Sequence, residues 1–259
     1  MKKTILSEKE LSLIEEIIVR YGLVTTFEQI YGILEKQITR QSAKNLINKL
    51  TKNGWLVRIK KGTYAISSLE SRGFLETHTF KVAQILVQDS YISFAAALQH
   101  HGMFDQMLKT VTSVSLKRYQ TKEVQGTIYK FINTKSKLFF GWENTSIENS
   151  IVKIATSEKA MLDILQFSRD RYAVDLVAEI LREHRKQIDF DRLNSFVEKY
   201  SRVVQRVIGF LFDNLSIDSG HLYHLTEMDN SSSYMTTGSK IFNAKWRLYY
   251  PEGFKVETE

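Results

Sequence analysis

The sequence predicts an α+β protein, and three observations carry that prediction. Capped, periodic helical stretches and a basic two-stranded hairpin fill the first 66 or so residues, short strand-like runs fill the middle, and helices dominate after about residue 157. The chain has 259 residues and is 43% hydrophobic, enough for two compact domains that each bury a core. A stretch over 67–79 lacks apolar periodicity and holds Ser67-Ser68, Ser71 and Gly73, which places the domain junction there. The expected units are therefore residues 1–68 and residues 80–259.

Ser7 and Glu10 form a capping-box pattern, and Leu11, Ile14, Ile17, Ile18 and Tyr21 recur at helical spacing until Gly22 offers a stop. Thr25 and Glu28 repeat the capping pattern before a shorter helix whose stripe is Phe27, Ile30, Tyr31 and Leu34. A third helix is expected from Thr39 to Lys52, with Ala43, Leu46, Ile47 and Leu50 at i, i+3, i+4 and i+7 as its buried face. At about 100° per residue, Gln41, Lys44, Asn45, Asn48 and Lys52 point the other way, with Arg40 and Lys49 on the flanks. After Asn53-Gly54, Trp55, Val57 and Ile59 alternate with Leu56, Arg58 and Lys60, and Lys61-Gly62 turns the chain into a second strand over 63–66.

The charge follows this module. The first 66 residues hold 12 Lys and Arg against 6 Asp and Glu, so nearly all of the formal +7 lies there. Between residues 39 and 61 stand seven cations and no carboxylate. Amides that pair bidentately with adenine sit beside cations that contact guanine or phosphate, the side-chain set of a major-groove reader. Three helices and a basic hairpin are the element order of a winged helix-turn-helix, whose third helix enters the major groove while the wing lies on the backbone. Double-stranded DNA is the expected partner, contacted by Arg40, Gln41, Lys44, Asn45, Asn48, Lys49, Lys52, Arg58, Lys60 and Lys61. The alternatives are a solvated basic face and a winged helix used for protein docking.

Beyond the junction the pattern is mixed. Helices are expected over 80–87 and 93–101, strands over 110–116, 127–132, 137–140 and 151–155, and helices over 157–167, 172–186, 191–200, 202–214 and 219–227. A polar loop over 229–240 and a strand over 244–250 close the chain.

Enzymatic constellations are sparse. The absence of cysteine excludes disulfides, thiolate zinc sites and cysteine nucleophiles. Gly238-Ser239 lacks the paired carboxylates that a nucleotidyltransferase sets shortly downstream, and Asp189-Phe190-Asp191 reads as a loop into a helix with Asp191 as N-cap. His100 and His101 diverge on a helix, and His221 and His224 have no third ligand nearby in sequence. The sequence assigns no catalytic residue, metal ligand or cofactor, so the protein is expected not to be an enzyme. No apolar run approaches the roughly 20 residues of a membrane span, and a cytoplasmic location is expected.

Three strings then stand in order: Tyr91 to Gly102 (YISFAAALQHHG), Phe140-Gly141, and Val152 to Asp163 (VKIATSEKAMLD). With the helical module in front, they resemble the antitoxin and transcriptional-regulator family of type IV abortive-infection systems (AbiEi), over roughly residues 5 to 170. The resemblance implies an N-terminal module that represses its own operon at the promoter. It also implies a C-terminal domain that counters a nucleotidyltransferase-like toxin without a tight complex. Ser157 stands where the family pattern often has proline, and the helical segment after Phe167 is longer than the family core. Read from the residues alone, the strings are structural: Ser93 and Thr156 or Ser157 as N-caps, Ala95 to Ala97 for close packing, Gly102 with positive φ, and Ala160, Met161, Ile164 and Leu165 facing inward. Two other functions stay open, a nucleic-acid-modifying enzyme targeted by its winged helix and a ligand-sensing regulator without a toxin partner.

Overall fold

The computed structural model describes residues 5–254. The protein is α+β and divides into two compact units. One runs to Gln88 and takes in the hairpin tips 123–127 and 147–150, and the other comprises 89–122, 128–146 and the chain from 151 onward.

In the first unit, α1 (Glu8–Tyr21) opens with the Ser7/Glu10 capping box and stops at Gly22, whose φ of 78° suits glycine. The next capping box lies one residue later than expected. Thr25 is drawn into β1 (Val24–Thr26), so Thr26 accepts from the Gln29 amide and Gln29 answers from the Thr26 amide at 2.8 Å, heading α2 (Phe27–Leu34). Thr39 caps α3 (Arg40–Lys52), which buries Ala43, Ile47 and Leu50 and leaves Leu46 half-buried. The strands β2 (Leu56–Lys60) and β3 (Thr63–Ile66) turn at Lys61-Gly62, and β1 adds antiparallel to β3 in the order β1-β3-β2. The core joins Leu13 and Ile17 to Ile30, Ile47, Leu50, Trp55, Leu56 and Ile66. The helix expected to open the second domain, α4 (Thr79–Leu86), instead packs on β2, and the Lys60 ammonium donates to the Ile85 carbonyl.

The second unit is built on a six-stranded mixed sheet. Its strands are β4 (Ser90–Ile92), β5 (Thr110–Ser115), β6 (Lys122–Val124), β7 (Thr127–Asn133), β8 (Trp142–Ile147) and β9 (Ser150–Ala155), ordered β6-β7-β5-β4-β9-β8. Central β4 pairs antiparallel with β5 and parallel with β9, Ile92 opposite Ile154. The short helix α5 (Phe94–His100) follows β4, and Gly102 ends it with φ 71° as expected. The strand expected over 137–140 is absent. Ser136–Leu138 makes a single 3-10 turn, and Phe139 leaves it to pack its ring against Tyr91 and Trp142, at 5.3 and 4.6 Å between centroids. An apolar run there plugs a core from a loop.

The helix α6 (Ser157–Phe167) begins at its Thr156 cap and buries nine consecutive residues, Ser157 to Leu165. A helix buried all round has to be enclosed by others. Here α5, α7 (Arg171–Glu183), α8 (Phe190–Val197) and α9 (Arg202–Asn214) surround it. Asp189, not Asp191, caps α8, accepting from the Arg192 amide at 2.9 Å, because the helix starts one residue before the expected place. α10 (Gly220–Thr226) packs on α9. A small sheet of β10 (Ser233–Tyr234), β12 (Leu248–Tyr250) and β11 (Ile241–Asn243), in that order, ends the unit. The expected strand over 244–250 is thus shortened by a turn with Arg247 at φ 46°, and the expected polar loop contains β10. Among the described residues no helix is long and apolar enough to cross a membrane.

Two outcomes are expected. Gly209 on α9 lies against the Trp246 ring, where a Cβ would come within 2.2 Å of ring carbon, so Gly209→Ala should cost about 1–3 kcal/mol in urea denaturation. The Glu10 carboxyl is held below its ordinary value by the Lys49 ammonium and then by the Ser7 amide. A depressed carboxyl contributes stability above its unfolded pKa and loses it as pH falls through the folded value. Glu10→Ala should therefore cost about 1 kcal/mol at pH 7, with the gap to wild type in thermal melts closing as pH drops below 4.5.

Candidate functional site

The outer face of α3 is the first candidate. Gln41, Lys44, Asn45, Asn48, Lys49 and Lys52 are all exposed on it, as the helical spacing requires. Asn45, Asn48, Lys49, Lys52 and Asn53 line a shallow recess of about 420 Å³. The side chains divide by what they touch. Arg40 forms a bidentate pair with Glu28 and lies over the Phe27 and Tyr31 rings at 5.0 and 5.3 Å, tying the start of α3 to α2. Lys49 pairs with Glu10 at 2.8 Å, tying the helix to α1, and Lys60 is held by α4. Gln41 donates to Asn45 at 3.2 Å. Among the described residues Lys44, Asn48, Lys52, Arg58 and Lys61 have no side-chain partner, so these four cations and one amide are the groups open to a ligand.

The second candidate lies inside the second unit. Lys159 and Asp163, one turn apart on α6, pair at 2.6 Å with both side chains 0% exposed. The Tyr200 hydroxyl donates to the same Asp163 oxygen at 2.7 Å. The other carboxylate oxygen accepts from Ser93 Oγ at 2.8 Å and from the Tyr91 hydroxyl at 3.1 Å. Ser93, expected to cap α5 with its hydroxyl, makes no cap bond because the hydroxyl serves Asp163. The Lys159 ammonium also lies over the Phe140, Tyr200 and Tyr91 rings, at 4.8, 4.9 and 5.4 Å. Gly141 closes the cage at φ 75°, where a Cβ would come within 3.0 Å of Phe196 and 3.1 Å of the Lys159 stem. Burial pulls the ammonium below its ordinary value while Asp163 pulls it back, and the net direction is down. Burial first, then the Asp163 charge, pushes the Tyr91 and Tyr200 hydroxyls up, so both remain donors.

No protein-family model and no curated protein matches this sequence. Among solved structures, the Rv2827c protein from Mycobacterium tuberculosis superposes with a TM-score of 0.69, covering 95% of this chain and 92% of that chain at 13% sequence identity. The likeness is one of fold. An α+β architecture of this size is therefore shared by two chains that are only 13% identical.

A cleft of about 300 Å³ opens beside the N-terminus of α6, lined by His101, Met103, Glu143, Glu158, Asp189 and Arg192 among others. Glu158 is buried there, accepting from the Asp189 amide at 3.0 Å, and Arg192 stands 3.6 Å from Glu143 and 3.7 Å from Glu158. His101 meets the Ala155 carbonyl at 2.8 Å, while His221 and His224 face different carboxylates, Glu198 and Glu227. Among the described residues no three His, Asp or Glu side chains are grouped as a metal ion would need. Sequence reasoning missed Tyr200, which joins Asp163 from 37 residues away, and missed the cleft, whose residues come from segments with no common periodicity.

Removing Asp163 strands an ammonium and three hydroxyls in the core. Asp163→Ala should cost about 3–5 kcal/mol in urea denaturation, and adding Lys159→Met to it should recover a large part.

Proposed function

We propose that the first unit is a winged helix-turn-helix that binds double-stranded DNA. The protein is then a cytoplasmic transcriptional autorepressor and the antitoxin of a type IV abortive-infection pair. One observation carries the DNA half: α3 presents Lys44, Asn45, Asn48 and Lys52 outward with no carboxylate on that face. Arg58 and Lys61 extend the same charge onto the hairpin, which acts as the wing. A helix of this width and chemistry fits the major groove, with amides reading base edges and lysines holding phosphates. Arg40, Lys49 and Lys60 have a different part, because their internal partners make them braces for α3 and the wing first and phosphate contacts second.

The antitoxin half rests on the resemblance of residues 91–102, 140–141 and 152–163 to that family. Tyr91, Ser93, Gly141, Lys159 and Asp163 all belong to one buried network, so the strings that carry the resemblance share one physical role. A nucleotidyltransferase-like toxin is the functional partner, opposed without a tight complex. The reading as a nucleic-acid-modifying enzyme has one observation in its favour, the cleft that gathers His101, Glu143, Glu158 and Arg192.

The test is titration of labelled DNA from upstream of the protein's own reading frame, followed by fluorescence anisotropy. With about six phosphates neutralised, affinity should fall roughly a thousandfold between 50 and 200 mM salt. Asn48→Ala should relax sequence preference by about 1–3 kcal/mol, whereas Lys44→Ala or Lys61→Ala should weaken binding to all sequences and reduce the salt slope by about 1. A salt-independent response sinks the DNA reading. Cleavage or modification of the DNA in Mg²⁺ transfers it to the enzyme, and failure to rescue growth when coexpressed with a nucleotidyltransferase-like protein from a neighbouring reading frame removes the antitoxin half.

A further inference from the structure

The small sheet of the second unit carries an aromatic row that the proposed function leaves unused. β12 lies between β10 and β11, and the register sets Tyr234 and Phe242 both opposite Tyr249. Directly opposed residues share a face, so the three rings form one row across three strands. The Tyr234 and Tyr249 rings stack at 4.7 Å with 12° between planes, and the Phe242 ring tilts against Tyr249 at 4.9 Å. The opposite face holds buried Ser233 and Leu248 and packs on α9, which turns the row outward. Tyr234 is 56% exposed and sits on an edge strand, so the stack ends in an open ring face.

The surroundings of that open end are cationic. Arg247, half-buried, donates to the Ser231 carbonyl at 3.1 Å, and beneath it, on the buried face, fully enclosed Arg206 donates to Ser233 Oγ and to the Asp229 carbonyl, both at 2.9 Å. Arg202 pairs with the Asp229 carboxylate at 3.2 Å. Arg202 and Arg206 thus share the Asp229 carboxylate, while Arg247 is held by the Asn230 and Ser231 carbonyls of the segment that leads into Tyr234. The crowding is felt at Arg206, which is held below its ordinary value by burial first, with Asp229 opposing and the charges of Arg202 and Arg247 adding to the fall.

An open aromatic stack beside surplus positive charge matches a ligand that is both planar and anionic. Duplex DNA has its base faces already occupied, so the ligand is unpaired. We propose that this row is a stacking platform for single-stranded nucleic acid, an unpaired base extending the stack on Tyr234 while the partly exposed Arg247 and Arg202 neutralise its phosphates. The platform is separate from the α3 face and stands whether or not that face reads DNA. RNA and DNA single strands offer the same chemistry here.

The experiment titrates the full chain against labelled oligo(U), oligo(dT) and a blunt duplex at low salt, read by fluorescence anisotropy. Wild type should bind at least one of the single strands, and whichever binds more tightly identifies the source. Tyr234→Ala should weaken that binding about tenfold or more, Tyr234→Phe should retain it, and duplex binding should not move. Should Tyr234→Ala lower the melting temperature, Tyr234→Leu keeps the apolar area, removes the ring face and takes its place. Single-strand affinity unchanged by loss of the ring overturns the proposal. So does single-strand binding that disappears with Lys44→Ala and Asn48→Ala on α3 but not with the Tyr234 variants.

Discussion

The second unit is organised around a charge pair shut off from solvent. Lys159 and Asp163 lie on the one helix that is buried on every side, and two ions in such a place are costly unless each hydrogen-bonding position is filled. Filling them requires Tyr91 and Ser93 from the end of β4, Tyr200 from the segment after α8, and Phe140-Gly141 from the loop before β8. The pair therefore sets where the sheet, the loop and two helices stand relative to α6. Hydrophobic packing alone is non-directional and would tolerate other placements of these segments. An unpaired ammonium in the core would not.

The first unit uses charge differently. Its helices are held by an ordinary apolar core, and two of the cations on α3 are spent as braces, Arg40 to Glu28 and Lys49 to Glu10. The braces sit on either side of the face that carries Lys44, Asn48 and Lys52, so they stiffen the helix without neutralising that face. Exposed pairs of this kind contribute little stability, with Glu10, nearly buried and part of a capping box, as the exception. Their value lies in orientation. A face that is rigid before it meets a ligand loses less entropy on binding.

The three strings that carried the family resemblance turn out to be neighbours in space rather than a surface. Their tyrosine, serine, lysine and aspartate are buried donors and acceptors, and the glycine is where a side chain would collide with the lysine stem. Such residues are hard to replace singly, because each change leaves a buried partner unsatisfied. That gives these three strings a structural role without asking them to do chemistry.

Much of this was legible beforehand where the cause is local. Caps and i, i+3, i+4 spacing are properties of neighbouring residues, so α1, α3, α6 and α9 were expected close to their observed bounds, and the outward set on α3 followed from the helical period alone. Short or edge strands escaped: β8 is half polar and faces solvent, so it has no buried face to impose alternation, and β1 and β10 are too short to show a period. The apolar run at 137–140 misled for the converse reason, since burial of a loop aromatic looks in sequence like burial of a strand. Which cations on α3 stay open, that Ser93 serves an aspartate 70 residues away, and that Tyr234, Tyr249 and Phe242 align in one row were decided by tertiary structure. Periodicity acts along the chain, whereas ion pairs, buried hydrogen bonds and stacked rings depend on distances through space.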